Sequence, residues 1–251
     1  MNPFEAHGIE HLSPSSLNTF AAEPALFVLQ KVLKHPAAGN AGPAAWRGSA
    51  VETGVAHGLE TGASTAECVA IARAEFAKKV GLTVSEKSEK EDAAIPGYVE
   101  QALEHLRPYG KPSSTQGRCE MQVEGLAVPI MGFYDFLWED TGRLIDLKTA
   151  ATLTSAIKPA HARQVAFYHQ CLGPNLLASL TYCTPKKVAT YALENSRDHW
   201  AAQQKIALTV QRFLAISADP QELAGLVVPD IESFYWLDSE LRQIAFETWG
   251  V

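Results

Sequence analysis

Asp135, Asp146 and Lys148 are the residues of this chain whose types and spacing best suit chemistry, and all three lie within Met131–Thr149. The two halves of that stretch are rich in aromatic and branched residues, which is typical of strands, and Asp140-Thr141-Gly142 between them is typical of a turn. A hairpin symmetric about this turn puts Asp135 opposite Asp146, and strand alternation puts Lys148 on the same face as Asp146. Facing like charges are destabilising, so we expect a cation between the two acids.

The type of cation follows from the available donors. Carboxylates favour Mg²⁺ or Mn²⁺, whereas the four cysteines are scattered without C-x-x-C spacing, which disfavours zinc or an iron–sulfur cluster and suits a reducing cytosol. Lys148 could then orient a water molecule or stabilise negative charge on a phosphate. The alternative is a purely structural ion pair between Asp135 and Lys148 at one end of a sheet, and spacing alone does not decide between the two.

Five segments in order resemble one family. Gly132-Phe-Tyr-Asp135 followed by Ile145-Asp146-Leu147-Lys148-Thr149 resembles the core signature of the PD-(D/E)XK nuclease superfamily, in its RecB-like and lambda-exonuclease-like branch. The other three segments are Leu12 to Phe20, similar to the opening helix motif, Arg47 to Glu52, similar to the first-acid helix, and Gln164 to Tyr168, similar to the Q-x-x-x-Y helix.

The resemblance implies a set of metal ligands and a catalytic lysine. The implied ligands of Mg²⁺ or Mn²⁺ are Glu52, Asp135, Asp146 and the backbone carbonyl of Leu147. Lys148 is then the catalytic lysine, and Gln164 is the catalytic glutamine that reaches toward the lysine or the scissile phosphate.

A histidine near the first acid offers another ligand. His57 follows Glu52 by five residues, which on a helix points it about 140° away, so the two cannot easily serve one ion. We favour Glu52 as the ligand, because Gly48 precedes it by the spacing that the family shows, and interpret His57 as a surface or core histidine.

Four residues are candidates for binding DNA. The resemblance suggests that Tyr168 lines the DNA channel, and Arg47 and Arg163 carry the fork that suits phosphate oxygens. Ser16 belongs to the opening motif and could contact a strand. Packing on the sheet, surface charge and helix capping explain the same residues without DNA.

The resemblance and the acidic residues imply a metal-dependent DNA nuclease. The function that we favour is an exonuclease of phage-type recombination or repair. A structure-selective endonuclease and a non-catalytic DNA-binding homologue are the alternatives. Relatives that carry an iron–sulfur cluster have a cysteine where this chain has Glu23, so we expect no cluster. No G-x-x-x-x-G-K-[ST] motif occurs, so ATP-driven unwinding of DNA would have to come from a partner, and a helicase or a recombinase is a possible partner. The resemblance to the lambda-exonuclease branch also makes a homo-oligomer possible.

Composition sets the cellular expectations. The chain has 251 residues and a net charge of −7, with no apolar run of membrane-spanning length and no secretory signal. We therefore expect a cytoplasmic protein of a bacterial or phage-infected cell, without a membrane partner. One nuclease domain over residues 1–251 is expected, with residues 1–110 mainly helical and residues 111–251 forming the sheet core and C-terminal helices.

The expected fold class is α/β, a restriction-endonuclease-like core in which a central mixed β-sheet is flanked by helices and preceded by a helical N-terminal region. The predicted helices run from Ser13 to about Lys34, from Trp46 to Leu59, from Ser64 to about Val80, from Pro96 to Pro108, from Thr154 to Cys171, from Ser196 to Pro220 and from Ser239 to Trp249, with loop or an exposed helix end at Val84–Asp92. The predicted strands are Arg118–Glu124, the two halves of the hairpin, Leu177–Cys183 and Val188–Leu193.

Overall fold

The computed structural model of the protein describes residues 2–39, 42–81 and 86–251. Helices form most of the part before residue 110 and recur around and after the strands. In chain order they are α1 (Pro3–Ala6), α2 (Pro14–Ala22), α3 (Pro24–Phe27), α4 (Gly42–Thr61), α5 (Thr65–Val80), α6 (Glu86–Leu106), α7 (Pro159–Leu172), α8 (Ser196–Leu214), α9 (Pro220–Ala224) and α10 (Ser239–Trp249).

Five strands form one mixed sheet in the spatial order β1-β2-β3-β4-β5. The strands are β1 (Ser114–Met121), β2 (Ile130–Trp138), β3 (Arg143–Thr149), β4 (Leu177–Cys183) and β5 (Val188–Ala192). Strand β3 pairs with β2 antiparallel and with β4 parallel, and β4 pairs with β5 antiparallel. Since parallel neighbours need a crossover, α7 connects β3 to β4. The expected fold class, a helical N-terminal region followed by a mixed sheet flanked by helices, is confirmed.

The chain divides into two compact units. The first comprises Met1–Asn40, Glu120–Gly132 and Arg197–Val251, and the second comprises Ala41–Cys119 and Phe133–Ser196. In the second unit, α4, α5 and α6 pack their apolar faces around Phe136, Ile145 and Leu147 of the hairpin strands. The core of the first unit includes Trp236, which is fully buried, together with α10 residues such as Ile244. The single domain that the sequence suggests over residues 1–251 stays a prediction.

Several predicted elements are confirmed at their ends. Strand Leu177–Cys183 and helix Ser239–Trp249 match residue for residue, and Ser64 caps α5 by accepting a hydrogen bond from the Glu67 amide at 3.3 Å. The single helix predicted from Ser13 to Lys34 is instead α2, α3 and a π-helical turn at Val28–Val32, because Pro24 starts a new helix.

The prediction that Pro96 opens a helix is wrong, because Pro96 lies inside α6. The charged residues from Glu86 onward are good helix formers, and ion pairs hold this part of α6: Glu91 binds Arg47 of α4, and Asp92 lies 3.5 Å from Arg73 of α5. The segment Val84–Asp92, predicted as loop or an exposed helix end, is the first part of α6 from Glu86 onward, and its residues 84 and 85 lie outside the described residues.

Two other boundaries are corrected. Helix α7 begins at Pro159 rather than at Thr154, because a residue before proline avoids helical geometry and Lys158 is extended at φ −69° and ψ 138°. Strand β1 begins at Ser114 rather than at Arg118, because the Ser113 amide already donates to the Leu137 carbonyl of β2 at 2.7 Å.

Candidate metal-dependent active site

The hairpin β2–β3 has the register that its turn predicts. Its residue pairs are Phe136 with Ile145, Leu137 with Leu144 and Trp138 with Arg143. Gly142 closes the turn at φ +58°, in the left-handed region that glycine enters without strain. One more step of this register puts Asp135 across from Asp146, as the sequence predicts.

The two strands separate at the first acid. The paired register ends at Phe136, and the Leu147 amide donates to Asp135 Oδ2 at 2.7 Å. A backbone donor of β3 is thus used by a side chain instead of by a backbone carbonyl. Asp135 is 5% exposed, so its carboxylate lies buried where the two strands open.

Asp146 is the least satisfied acid. It is fully buried, and Asp146 Oδ2 lies 2.6 Å from Lys148 Nζ. This contact pairs the carboxylate with an ammonium, and among the described residues no further hydrogen-bond donor reaches Asp146. A buried carboxylate is costly unless a cation compensates it, and here one ammonium is shared by the acids of the site.

Glu52 of α4 completes the acidic group. Its side chain is half-buried and lies beside the side chain of Asp135, close enough for the two carboxyl groups to influence each other's pKa. His57 lies on the same helix but pairs with Glu67 at 3.6 Å, so Glu52 is the α4 side chain beside the hairpin acids.

The protonation of the site follows from burial and mutual repulsion. Burial, followed by the charge of Asp135, raises the pKa of Asp146 to about 7. Burial and the charge of Glu52 raise the pKa of Asp135 well above its usual value, and burial also raises the pKa of Glu52. Burial alone would lower the pKa of Lys148, but Asp146 and Asp135 outweigh it and raise that pKa, so Lys148 stays an ammonium.

These donors fit a hard divalent cation. Among the described residues no three Asp, Glu, His or Cys side chains are already arranged to hold a metal ion. Three carboxyl groups beside one ammonium nevertheless leave the site short of positive charge, as the raised pKa values of Asp135 and Asp146 show. An all-carboxylate set of this kind suits Mg²⁺ or Mn²⁺.

Gln164 and Tyr168 lie on one face of α7, and Gln164 Nε2 donates to the Tyr168 hydroxyl at 3.0 Å. Burial, followed by the charge of Asp146, raises the pKa of Tyr168, which indicates that its hydroxyl lies near the acids. Tyr168 is only 2% exposed, so in this structure it packs in the interior. Its predicted contact with DNA stays a prediction, as does the approach of Gln164 to a phosphate.

The predicted DNA-binding residues occupy different environments. Arg47 is 6% exposed, pairs with Glu91, donates to Thr149 Oγ1 at 3.2 Å and covers the Tyr98 ring at 4.4 Å. Glu91 thus compensates the charge of Arg47 without a nucleic-acid phosphate, and the hydrogen bond to Thr149 connects Arg47 to the end of β3. Arg163 is half-buried on α7.

Ser16 belongs to the first unit and serves its own helix. Its amide donates to Ser13 Oγ at 3.1 Å, and its hydroxyl accepts from the Ser13 amide at 2.9 Å. This is the capping box at the start of α2, so helix capping explains Ser16. A contact between Ser16 and DNA stays a prediction.

His161 is the residue that sequence reasoning missed. Its Nδ1 lies 2.8 Å from the hydroxyl of Tyr182, which is the neighbour of Lys148 across the β3–β4 pair. Burial, followed by the charge of Lys148, lowers the pKa of His161 to about 4, so the ring is neutral. The available signal was its place one turn before Gln164 on the same helix face.

The comparisons with known proteins differ in what they establish. A crystal structure of SSO0001 is 17% identical over 65% of this chain and 85% of that chain, with a TM-score of 0.36, a likeness too low to carry an argument. No curated protein matches the sequence. The family model described as PD-(D/E)XK nuclease superfamily matches residues 11–233, which include every acid of the site. The chain therefore belongs to the PD-(D/E)XK nuclease superfamily.

Proposed function

We propose that the protein is a Mg²⁺- or Mn²⁺-dependent deoxyribonuclease that hydrolyses phosphodiester bonds, and that it acts as an exonuclease. The observation that carries the proposal is the buried group of Glu52, Asp135 and Asp146 with Lys148, in which charge is incompletely compensated. A structural ion pair needs one acid and one base, whereas three carboxyl groups share this site with a single ammonium, which favours the metal-site interpretation.

Each residue has a role in this proposal. Glu52, Asp135, Asp146 and the Leu147 carbonyl would hold the ion, which when bound polarises the scissile phosphate and lowers the pKa of a water molecule. Asp146 Oδ2 also lies 2.6 Å from Lys148 Nζ, and this ion pair would position the ammonium beside the bound phosphate.

Lys148 contributes as a cation and not as a base. Because Asp146 and Asp135 keep it protonated, it cannot accept a proton from water near neutral pH. Its ammonium instead orients the attacking water through a lone pair and stabilises the charge that grows on the phosphate oxygens. Gln164 lies on the α7 face beside this group and orients the Tyr168 hydroxyl.

The exonuclease assignment rests on the resemblance of the five motifs to the RecB-like and lambda-exonuclease-like branch. Within it the protein would work in the cytoplasm in phage-type recombination or repair, as a monomer or homo-oligomer, alongside a recombinase or helicase. No iron–sulfur cluster is part of the proposal.

A digest of end-labelled DNA tests the assignment. We expect linear DNA to be shortened from its labelled ends with Mg²⁺ or Mn²⁺, closed circular DNA to persist, and chelator to stop the reaction. Cleavage of circular or branched DNA at internal sites would instead establish the structure-selective endonuclease. Absence of cleavage with either metal, together with unchanged metal affinity in Asp146→Ala, would contradict the nuclease and favour a non-catalytic DNA-binding homologue.

A further inference from the structure

Phe133 is an exposed aromatic residue in an otherwise covered strand. Of the nine residues of β2, all of which the structure describes, Phe133 alone is exposed, with 50% of its surface accessible. Single exposed apolar residues are common on protein surfaces and by themselves indicate nothing. The position of Phe133 relative to the acids is what gives it meaning.

Tyr134 lies between Phe133 and Asp135 in β2 and points to the face of the sheet opposite to both. The Tyr134 hydroxyl lies 2.8 Å from Ser114 Oγ, and its ring covers Gly117 so closely that a Cβ there would fall 2.0 Å from a ring carbon. Tyr134 therefore packs onto β1. Successive side chains of a strand point to opposite faces, so Phe133 shares its face with Asp135.

The ring consequently borders the acidic group. Two residues along a strand span about 7 Å, a distance that one nucleotide can bridge from its phosphate to its base. Because Phe133 precedes Asp135 by two residues of β2, a phosphodiester bound beside the acids would bring a neighbouring base to the Phe133 ring.

We propose that Phe133 is a base-stacking residue, whose ring stacks on the unpaired nucleobase next to the scissile phosphodiester. The proposal rests on the proposed nuclease function and adds a substrate class to it. Stacking needs a free base face, so the favoured substrate is single-stranded DNA or a frayed duplex end rather than an intact duplex. Because every base has a π-face, the preference is for unpaired structure and not for sequence.

Binding of oligonucleotides with a single abasic position tests the proposal. In chelator, which stops cleavage, we expect abasic substitution at one position of a single strand to weaken binding about five-fold or more. Phe133→Ala should weaken binding of the intact strand by a similar factor and make that abasic position silent. Phe133→Trp should restore both the affinity and the abasic effect.

Leu177→Ala is the matched control. Leu177 is 64% exposed at the start of β4, where it pairs with Arg143 at the far end of β3 from Lys148. It should leave both the affinity and the abasic effect unchanged.

The two proposals fail in different ways. If the unchanged protein degrades DNA but Phe133→Ala binds DNA as tightly as Leu177→Ala does, base stacking is wrong and the nuclease function stands. The same conclusion follows if the abasic substitution still weakens binding in Phe133→Ala. If the unchanged protein neither cleaves nor binds single-stranded or frayed DNA, both proposals are overturned.

Discussion

Two antiparallel strand pairs, β2–β3 and β4–β5, bury polar groups in opposite ways. In β4–β5, Thr181 Oγ1 lies 2.8 Å from Thr190 Oγ1, and the Thr184 hydroxyl donates to the Lys187 carbonyl at 3.0 Å. In β2–β3 the buried groups are Asp135 and Asp146, which carry raised pKa values and share the ammonium of Lys148.

The difference separates polar groups that hold a fold from those that serve chemistry. A neutral, fully hydrogen-bonded hydroxyl costs little to bury. Paired acids with incomplete compensation are costly and persist where a ligand or reaction uses them. Breaking each strand pair should accordingly affect different properties of the protein.

The largest effect should come from Lys148→Met, which keeps much of the side chain's length and removes its charge. We expect initial rates of DNA cleavage to fall about a hundred- to a thousand-fold, because charge stabilisation at the phosphate is lost. DNA affinity should change little. Lys187→Met, in the turn before β5, is the control. An equal fall of the cleavage rate in both variants would show that the two strand pairs do not differ in their role in catalysis.

Glu52 and His57 are the next comparison, because both lie on α4 but only Glu52 adjoins Asp135. Glu52→Gln should weaken Mn²⁺ binding on the order of 10- to 100-fold in calorimetry, whereas His57→Gln should leave it unchanged. The reverse ranking would show that the histidine is the ligand.

The stability of the metal-free protein should depend on Asp146. Its pKa is about 7 when folded and near 3.8 when unfolded, so the folded state retains a proton that the unfolded state releases. Its contribution to stability is therefore fully present below about pH 4 and is lost as the pH rises through about 7.

Asp146→Asn should remove this dependence. In chelator at pH 8, we expect the variant to unfold with a free energy on the order of 2 kcal/mol higher than the unchanged protein, and with little difference at pH 4. Denaturant titrations at both pH values measure it. An equal difference at the two pH values would contradict the assignment.

Thr181→Val should have the smallest effect. Loss of its hydroxyl contact should lower the free energy of unfolding by about 1 kcal/mol, while cleavage rates remain unchanged. A large fall in activity without unfolding would show that β4–β5 also takes part in the chemistry.

The hairpin was predictable because its determinants are local. The turn at Asp140-Thr141-Gly142 sets the register of Phe136 with Ile145, and strand alternation places Lys148 beside Asp146. Strand β4 and helix α10 were equally readable from their patterns. The start of α6 was not, since ion pairs to α4 and α5 stabilise a charged segment that reads as a loop.

Tertiary environment accounts for the site features that the sequence did not reveal. The burial of Arg47 against Tyr98 and Glu91, and of His161 against Tyr182, depends on residues far apart in the chain. An exposed arginine and a buried one look alike in a single sequence, and so do a solvated histidine and a neutral one.

Crystallography with Mn²⁺ tests the central claim most directly, because anomalous scattering locates the ion independently of activity. The account predicts one strong peak between β2 and β3, with Glu52, Asp135, Asp146 and the Leu147 carbonyl as protein ligands. A peak elsewhere, or an empty site at saturating Mn²⁺ with Asp146 still paired to Lys148, would contradict it.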